Sequence, residues 1–230
     1  MILAVVSGKG GVGKSTVAFN LGVAMDAVVV DADLGMADLP TGPGPDLHDV
    51  LAGRADPREA VREAGFRLLP CGRSLAGARA ADVGELGATL RAVEAAYGDV
   101  VVDCPAGRRA DVGVPLAVAD ACVVVTAPRA FALADALRTR ELARELDAGL
   151  VSVVLNRVVD DPPCEAVERL LGAPALVVPA DPRLGRSVAE AEPVVDTAPD
   201  SDVAARFEEL SDRVRSCRSA SESALDSVSQ

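Results

Sequence analysis

A glycine-rich loop between a buried strand and a helix constrains the fold of this chain most strongly. Ile2–Val6 is a continuous apolar run, residues 16–21 follow a helical pattern, and residues 8–15 lie between them. This loop has the spacing G-x-x-x-x-G-K-[ST], in which successive backbone N–H groups can turn inward toward phosphate oxygens. The strand, the loop and the anion-favouring start of a helix together predict a parallel α/β sheet with a phosphate-binding edge.

Both lysines of the chain, Lys9 and Lys14, lie in this loop, whereas every other cationic side chain is an arginine. A compact ammonium group can reach a phosphate inside a tight loop in which the planar guanidinium group does not fit. We predict that Lys14 contacts the β- and γ-phosphates of a nucleotide, that Ser15 binds Mg²⁺ and that Thr16 contacts the α-phosphate. The loop backbone that is predicted to surround the phosphates belongs to Gly8, Gly10, Gly11, Val12 and Gly13.

The composition favours one aliphatic domain. The chain has 230 residues, of which 50% are hydrophobic and 2% aromatic, so the core must consist mainly of Ala, Val and Leu. So few aromatic residues argue against stacking on nucleic-acid bases. The net charge of −12 argues against a basic surface that neutralises phosphates, and we expect no strong binding to nucleic acid. Much acid and little lysine are typical of salt-loving microbes, and we interpret this chain as archaeal and the acidity as an adaptation for solubility.

The cysteines and the N-terminus predict a cytoplasmic protein. Five cysteines are scattered without a C-x-x-C pair, which favours reduced thiols. The chain enters its first strand without a signal peptide, and no apolar run is long enough to span a bilayer. We expect a cytoplasmic location, with the membrane reached only through a partner.

Apolar runs alternate with helical patterns along the chain. Because both faces of these runs are apolar, they predict a doubly wound, mostly parallel sheet covered by helices on both faces. We predict one domain over residues 1–215, ending in a helix over 203–214, and a loose serine-rich tail over 216–230. The runs cover residues 2–6, 27–30, 66–69, 99–102, 121–126, 151–155 and 175–178.

Acidic side chains follow two of these predicted strands. Asp31 and Asp33 come directly after the run 27–30, and Asp103 follows the run 99–102. Ligands of doubly wound sheets bind beyond the carboxyl ends of the strands, so these carboxylates should lie near the loop. Asp103, with Cys-Pro-Ala-Gly after it, fits an acid that holds Mg²⁺ through a water molecule.

The loop resembles the deviant Walker A motif, K-G-G-x-G-K-[ST], of the MinD/ParA family of P-loop ATPases, and the MinD-like proteins in particular. Further matching segments are D-x-D-x-G at 31–35, residues 47–53, D-x-P-A-G at 103–107, T-x-P at 126–128, Asn-Arg at 156–157 and P-x-D at 179–181. The resemblance covers residues 1 to about 210 and implies the P-loop fold shared by MinD, ParA and the nitrogenase iron protein.

The resemblance also implies roles for individual residues. Lys9 would reach the nucleotide of a second subunit, and Asp33 would orient or deprotonate the attacking water. Asp31 would lie on the metal side of the site, together with Ser15 and Asp103. The adenine would be framed by Asn156, Arg157, Pro179 and Asp181. Asp135 is either an acid that positions Lys9 or an ordinary exposed helical acid.

The implied function is that of a slow, partner-stimulated ATPase that uses ATP and Mg²⁺. Such a protein forms an ATP-dependent homodimer and regulates the placement of a division site, polar assembly or motility apparatus. In this chain Arg129 replaces the glutamate of the family's T-N-P-E, which puts the partner contacts in doubt. The C-terminal region has few large apolar residues, so we expect weak or no autonomous membrane binding.

Three alternatives belong to other functional classes. A ParA-type partitioning ATPase needs a basic DNA-contacting surface. A metallocluster carrier of the Mrp or nitrogenase-iron-protein type needs paired interface cysteines, a pattern that Cys104 and Cys122 do not reproduce. A synthetase of the dethiobiotin type has a related fold, but Lys9 and the segment 103–107 argue against it.

Overall fold

Eight strands form one sheet in the computed structural model, which describes residues 1–35, 37–107 and 110–228. The spatial order is β3-β4-β2-β5-β1-β6-β7-β8, and every neighbouring pair is parallel except β3 and β4. The strands are β1 (Ile2–Val6), β2 (Val28–Asp31), β3 (Arg62–Glu63), β4 (Arg67–Leu69), β5 (Val100–Asp103), β6 (Ala121–Thr126), β7 (Gly149–Val158) and β8 (Ala175–Pro179).

Helices cover both faces of this sheet. The helices are α1 (Lys14–Ala24), α2 (Leu47–Leu51), α3 (Pro57–Ala60), α4 (Leu75–Ala80), α5 (Leu86–Tyr97), α6 (Ala110–Val118), α7 (Ala130–Glu145), α8 (Cys164–Leu171), α9 (Pro182–Ala189), α10 (Val194–Thr197) and α11 (Asp202–Val228). A 3₁₀ turn, Val83–Glu85, precedes α5.

The strands separate two aliphatic cores because successive side chains of a strand point to opposite faces. In β1, the side chains of Ile2, Ala4 and Val6 belong to one core, which also contains Leu90 of α5. Leu3 and Val5 belong to the other core, which contains Leu21 of α1 and Phe207 of α11. The predicted doubly wound α/β fold with two covered faces is therefore confirmed.

The last helix extends beyond its predicted end. Residues 216–228, predicted as a loose tail, continue α11 without a break at residue 215. That prediction rested on the lack of large apolar residues after residue 214. A helix already anchored by buried Phe207 and Val214 can extend without forming a new nucleus. Within the continuation, the Ser216 hydroxyl donates to the Asp212 carbonyl of the same helix at 2.8 Å. An ion pair between Arg218 and Asp99 also connects it to the body of the domain.

The parallel topology places the functional segments at one edge of the sheet. Strands β1, β2, β5, β6, β7 and β8 run in the same direction, so their carboxyl ends share that edge. The loop after β1 and the acids that end β2 and β5 therefore meet there. Within the described ranges, no helix is both long enough and apolar enough to cross a membrane.

Candidate functional site

The loop between β1 and α1 requires glycine at two positions for different reasons. Gly13 has a φ of 90°, and a Cβ atom there would lie 2.1 Å from Nδ2 of Asn156. Gly8 has no positive φ, but a Cβ atom there would lie 2.4 Å from the backbone of Asp135 in α7. The loop is thus packed between the end of β7 and α7, which fixes its position relative to the sheet.

Asn156 and Arg157, at the end of β7, hold the loop from outside. Nδ2 of Asn156 donates to the carbonyl oxygen of Val12 at 2.9 Å, and Nη1 of Arg157 donates to that of Gly11 at 2.9 Å. Arg157 has a φ of 60°, a conformation that is uncommon for a residue other than glycine. Asn156 is 2% exposed, and its Oδ1 has no hydrogen-bond partner among the described residues.

Lys14 and Asp103 form a buried ion pair at the centre of the site. Nζ of Lys14 lies 2.5 Å from Oδ1 of Asp103 and 3.4 Å from the hydroxyl oxygen of Ser15. Burial raises the pKa of Asp103, against the lowering effects of Lys14 and Ser15. Burial alone would lower the pKa of Lys14, but the carboxylate of Asp103 raises it overall. The second carboxylate oxygen, Oδ2 of Asp103, is buried and finds no partner in the described part of the chain.

Asp31 and Asp33 occupy different environments although they are two residues apart. Asp31 is fully buried beside Asp103 in the register of β2 and β5, and its oxygens accept the backbone N–H groups of Asp33 and Leu39 at 3.2 and 3.3 Å. Burial, and then the nearby Asp103 carboxylate, raise the pKa of Asp31 to about 8. Asp33 is partly exposed at the start of the following loop. Asp31 therefore anchors the loop that presents Asp33.

Lys9 lies on the exposed rim of the loop, in contrast to Lys14. Its Nζ is 4.0 Å from the centroid of the Phe131 ring, at the start of α7. The carboxylate of Asp135 accepts a hydrogen bond from Nη1 of Arg138 at 2.9 Å, and within the described residues no ion pair joins it to Lys9. The acid expected near Lys9 thus contacts the loop through its backbone, while an aromatic ring contacts the ammonium group.

The predicted adenine-binding residues line one cavity next to the loop. This cavity has a volume of about 370 Å³ and includes Thr16, Asn156, Arg157, Pro179 and Asp181. The carboxylate of Asp181 caps α9 by accepting from the backbone N–H of Arg183 at 2.8 Å, and its contacts with the Arg183 side chain lower its pKa. Asp181 is thus already paired, whereas Oδ1 of Asn156 remains available to a ligand.

Among the described residues, two of the buried side-chain atoms without a hydrogen-bond partner, Oδ2 of Asp103 and Oδ1 of Asn156, fit a magnesium-bound nucleotide. Oδ2 of Asp103 lies beside Lys14 and Ser15, where a cation and its water ligands would satisfy it. Asn156 lines the cavity described above, where the exocyclic amino group of a base would donate a hydrogen bond to its Oδ1. No group of three or more His, Cys, Asp or Glu side chains in the described residues could hold a metal ion, so Mg²⁺ would need the Ser15 hydroxyl, water and phosphate oxygens as well.

The sequence analysis assigned no role to two side chains near this edge, Phe131 and His48. Phe131 is 52% exposed, and it is one of only four phenylalanines in the sequence. His48 is the only histidine of the sequence, lies buried on α2, and contacts the loop after Asp33. The scarcity of both residue types was the available signal, but their neighbours become visible only in three dimensions.

A glycine-rich phosphate loop with a buried lysine–aspartate pair, at the carboxyl edge of a parallel sheet, defines a P-loop nucleotide-binding protein. Residues 3–194 match the family described as the CobQ/CobB/MinD/ParA nucleotide binding domain. The chain therefore belongs to this MinD/ParA family.

Individual relatives agree with this assignment. An ATP-binding protein of Methanocaldococcus jannaschii is 34% identical over 224 residues, which cover 90% of this chain and 85% of the relative. The structure of the cell division ATPase MinD of Pyrococcus furiosus has a TM-score of 0.87 and 32% identity, and covers 94% of this chain and 98% of its own. MinD of Pyrococcus horikoshii complexed with Mg-ADP has a TM-score of 0.86 and 30% identity, covering 93% and 95%.

The cysteines offer no support for a metallocluster carrier. Cys104 and Cys122 are both fully buried, and burial raises the pKa of each thiol. Cys71 is also fully buried, within the contacts of α2. Thiols of this kind pack as small apolar side chains and are poor metal ligands, because the thiolate form is suppressed.

Proposed function

We propose that this protein is a Mg²⁺-ATP-dependent molecular switch with slow, partner-stimulated ATPase activity. The observation that carries the proposal is the different placement of the two lysines. Lys14 is buried against Asp103, where it can neutralise a bound phosphate, whereas Lys9 is exposed on the rim of the same loop. An exposed ammonium group beside a phosphate site is free to serve the nucleotide of a second subunit.

The residues of the site would divide the chemistry among themselves. Mg²⁺ would supply the charge that neutralises the β- and γ-phosphates. Lys14 would exchange the Asp103 carboxylate for phosphate oxygens, and Asp103 and Ser15 would then face the metal, with Asp31 beside them. Asp33, partly exposed on its anchored loop, would orient the attacking water. Asn156 would accept a hydrogen bond from the adenine amino group while it holds Val12.

The bound nucleotide would determine whether two subunits associate. With ATP bound, two subunits would close face to face, and Lys9 of each would complete the other's site. Hydrolysis would remove the γ-phosphate that holds the loops after Asp33 and Asp103, and the dimer would open. The relatives support ATP and Mg²⁺ as ligands through their names: an ATP-binding protein, a cell division ATPase and a MinD bound to Mg-ADP.

The proposed cellular role is the placement of a large structure, such as a division site, a polar assembly or a motility apparatus. We propose a cytoplasmic protein that reaches a membrane only through a partner, and a protein partner that stimulates turnover. The net charge of −12 argues against the ParA-type alternative, which would have to bind DNA.

Light scattering with ADP and with ATP tests the switch directly. The wild-type protein should be monomeric with ADP and dimeric with ATP, and Lys9→Ala should remain monomeric with both while still binding ATP. Asp33→Ala should bind ATP, hydrolyse it at least about 100-fold more slowly and accumulate as a dimer. A wild-type protein that stays monomeric with ATP refutes the switch, and normal turnover in Asp33→Ala refutes the catalytic assignment.

A further inference from the structure

His48 makes one hydrogen bond to the loop that carries Asp33. Its Nε2 lies 3.1 Å from the carbonyl oxygen of Leu34, the residue directly after Asp33. A carbonyl oxygen can only accept, so Nε2 must carry the hydrogen. The sulfur of the buried Cys71 lies 3.4 Å from the same nitrogen. The ring therefore joins the Asp33 loop to α2 and to the segment that follows β4.

The Asp33 loop is held on two sides, by the buried side chains of Asp31 and His48 and by the exposed side chain of Arg73. On the strand side, Asp31 accepts the N–H groups of Asp33 and Leu39. On the opposite side, His48 donates to Leu34, and Nη2 of Arg73 approaches the carbonyl oxygen of Leu39 at 3.4 Å. Of these contacts, the one made by His48 is adjacent in sequence to Asp33. It fixes the Leu34–Gly35 peptide group, one residue beyond the Cα atom that carries the Asp33 side chain.

The surroundings of His48 are shaped to admit its ring. A Cβ atom on Gly72 would lie 2.5 Å from Nδ1 of His48, and one on Gly77 would lie 2.9 Å from the same atom. Neither glycine has a positive φ, so the backbone conformation does not call for glycine at either position. The absence of a side chain at both places makes room for the imidazole.

The buried Nδ1 atom of His48 destabilises the fold. His48 is 2% exposed, and Nδ1 has no hydrogen-bond partner among the described residues. A buried polar atom without a partner destabilises the fold, and an apolar residue of similar shape would avoid that loss. The fold therefore leaves two positions beside the ring without a side chain and leaves Nδ1 without a partner. The other ring nitrogen, Nε2, makes the contacts with Leu34 and Cys71.

We infer that His48 is a positioning residue for hydrolysis, which holds the Leu34 carbonyl so that the Asp33 carboxylate stays aimed at the attacking water. This inference rests on the proposed function, because it assigns a consequence for turnover to a contact behind Asp33. His48 touches neither nucleotide nor metal in this scheme. Its loss should slow the chemical step and leave ATP binding unchanged.

The variants His48→Leu and His48→Gln separate positioning from packing. His48→Leu fills the space without a donor, and kcat should fall about three- to tenfold, the range of one neutral hydrogen bond, with the affinity for ATP changed less than twofold. His48→Gln retains an N–H donor and should restore kcat to within about threefold of wild type. Leu51→Ala, at a buried position on the same helix, is the matched control. It should lower the stability of the protein, but at temperatures at which the variant is still folded its kcat should equal that of wild type.

A measurement without turnover keeps the inference separate from the proposed function. The chain has one histidine, so ¹⁵N-histidine labelling gives one imidazole, whose tautomer should be Nε2–H. Amide hydrogen exchange at residues 33–35 should be faster in His48→Leu than in wild type and unchanged in Leu51→Ala. An Nδ1–H tautomer, unchanged exchange or a normal kcat in His48→Leu overturns the inference, while failure of the proposed function shows separately as normal turnover in Asp33→Ala.

Discussion

The ammonium nitrogen of Lys9 lies 4.0 Å from the centroid of the Phe131 ring in the same subunit. A cation over an exposed aromatic ring gains about 0.5–1 kcal/mol. In the proposed switch, Lys9 must leave this position before it can reach the nucleotide of a second subunit. The contact therefore stabilises the unassembled protein and opposes dimerisation by a small amount.

Replacing Phe131 should strengthen ATP-dependent dimerisation. Phe131→Leu keeps an apolar side chain but removes the ring, and the dissociation constant of the ATP-bound dimer should fall about five- to thirtyfold, the equivalent of two lost contacts, one in each subunit. Phe131→Tyr keeps the ring and is the matched control. Dilution series followed by light scattering measure the constant. A weaker dimer in Phe131→Leu would mean that Phe131 contributes more to the assembled interface than to the free subunit.

The contact itself can be observed in the free protein. Because the chain has only two lysines, ¹³C-lysine labelling gives two sets of side-chain signals. The ε-methylene signal of Lys9 should be shifted by the ring current of Phe131, and this shift should disappear in Phe131→Leu. The signal of Lys14 should be the same in both proteins and serves as the internal reference.

Variants of the buried Lys14–Asp103 pair should distinguish its effect on the free energy of unfolding from its effect on ATP binding. In Lys14→Met, Asp103 is left buried without its partner, and the free energy of unfolding at pH 7 should fall by about 3 kcal/mol. In the double variant Lys14→Met, Asp103→Asn, most of that loss should be recovered, because no uncompensated charge remains. Urea unfolding measures both values.

Neither variant should bind ATP, because both lack the ammonium group that neutralises the phosphates. Titration calorimetry checks this point. Lys9→Met is the matched control, since it removes the exposed lysine of the same loop and should lower the free energy of unfolding by no more than about 1 kcal/mol, the value of the lost contact with Phe131. ATP affinity preserved in Lys14→Met would contradict the assignment of the loop.

The sequence predicted the fold well because the fold depends on local patterns, and the placement of the loop follows from the same patterns. Apolar runs bounded by polar residues defined the parallel strands, and the spacing of glycines and Lys14 defined the loop. The antiparallel two-residue β3 has no such pattern, since Arg62–Glu63 is polar and too short for periodicity. Its strand character arises from pairing with β4.

Contacts between distant segments could not be read from the sequence. The Lys14–Asp103 pair joins residues 89 positions apart, and the contact between Asn156 and Val12 spans 144 positions. The carboxyl end of β7 and the loop come together only after the sheet has formed. For the same reason the sequence analysis left the role of Asp135 open and did not consider Phe131, four residues earlier on the same helix.

Asp31 should make the stability of the nucleotide-free protein depend on pH. Its pKa is raised from 3.8 to about 8 by burial and by Asp103. Between these values the folded state binds a proton that the unfolded state has lost, so the free energy of unfolding should decrease as pH rises from about 4 to 8. Urea unfolding in EDTA across this range measures the slope.

Asp31→Asn is the variant that isolates this effect. An amide does not titrate, so the slope between pH 4 and 8 should become less steep than in wild type. The amide can accept only one of the two N–H groups through its oxygen, and Leu39 or Asp33 will lose its partner. Asp33→Asn, at the exposed end of the same loop, is the control and should leave the slope nearly unchanged. A wild-type slope in Asp31→Asn would assign the titration to another group.

Asn156 should determine which base the site accepts. Its Nδ2 donates to the Val12 carbonyl, and its Oδ1 is a buried acceptor that has no partner in the described residues, on a side chain that lines the cavity. An acceptor at this place favours the amino group of adenine over the carbonyl oxygen of guanine, and a site built for such a hydrogen bond discriminates strongly. Asn156→Leu should therefore weaken ATP binding about tenfold and bring the affinities for ATP and GTP to within about threefold of each other.

Arg157→Gln provides the comparison that separates base recognition from support of the loop. Arg157 holds the neighbouring Gly11 carbonyl, so its replacement loosens the loop without removing the acceptor that faces the base. Competition titrations with ATP and GTP should show both affinities reduced by the same factor in Arg157→Gln and their ratio unchanged. If Asn156→Leu also preserved the ratio, Asn156 would act only through Val12, and the selection of adenine would have to come from backbone groups near Pro179.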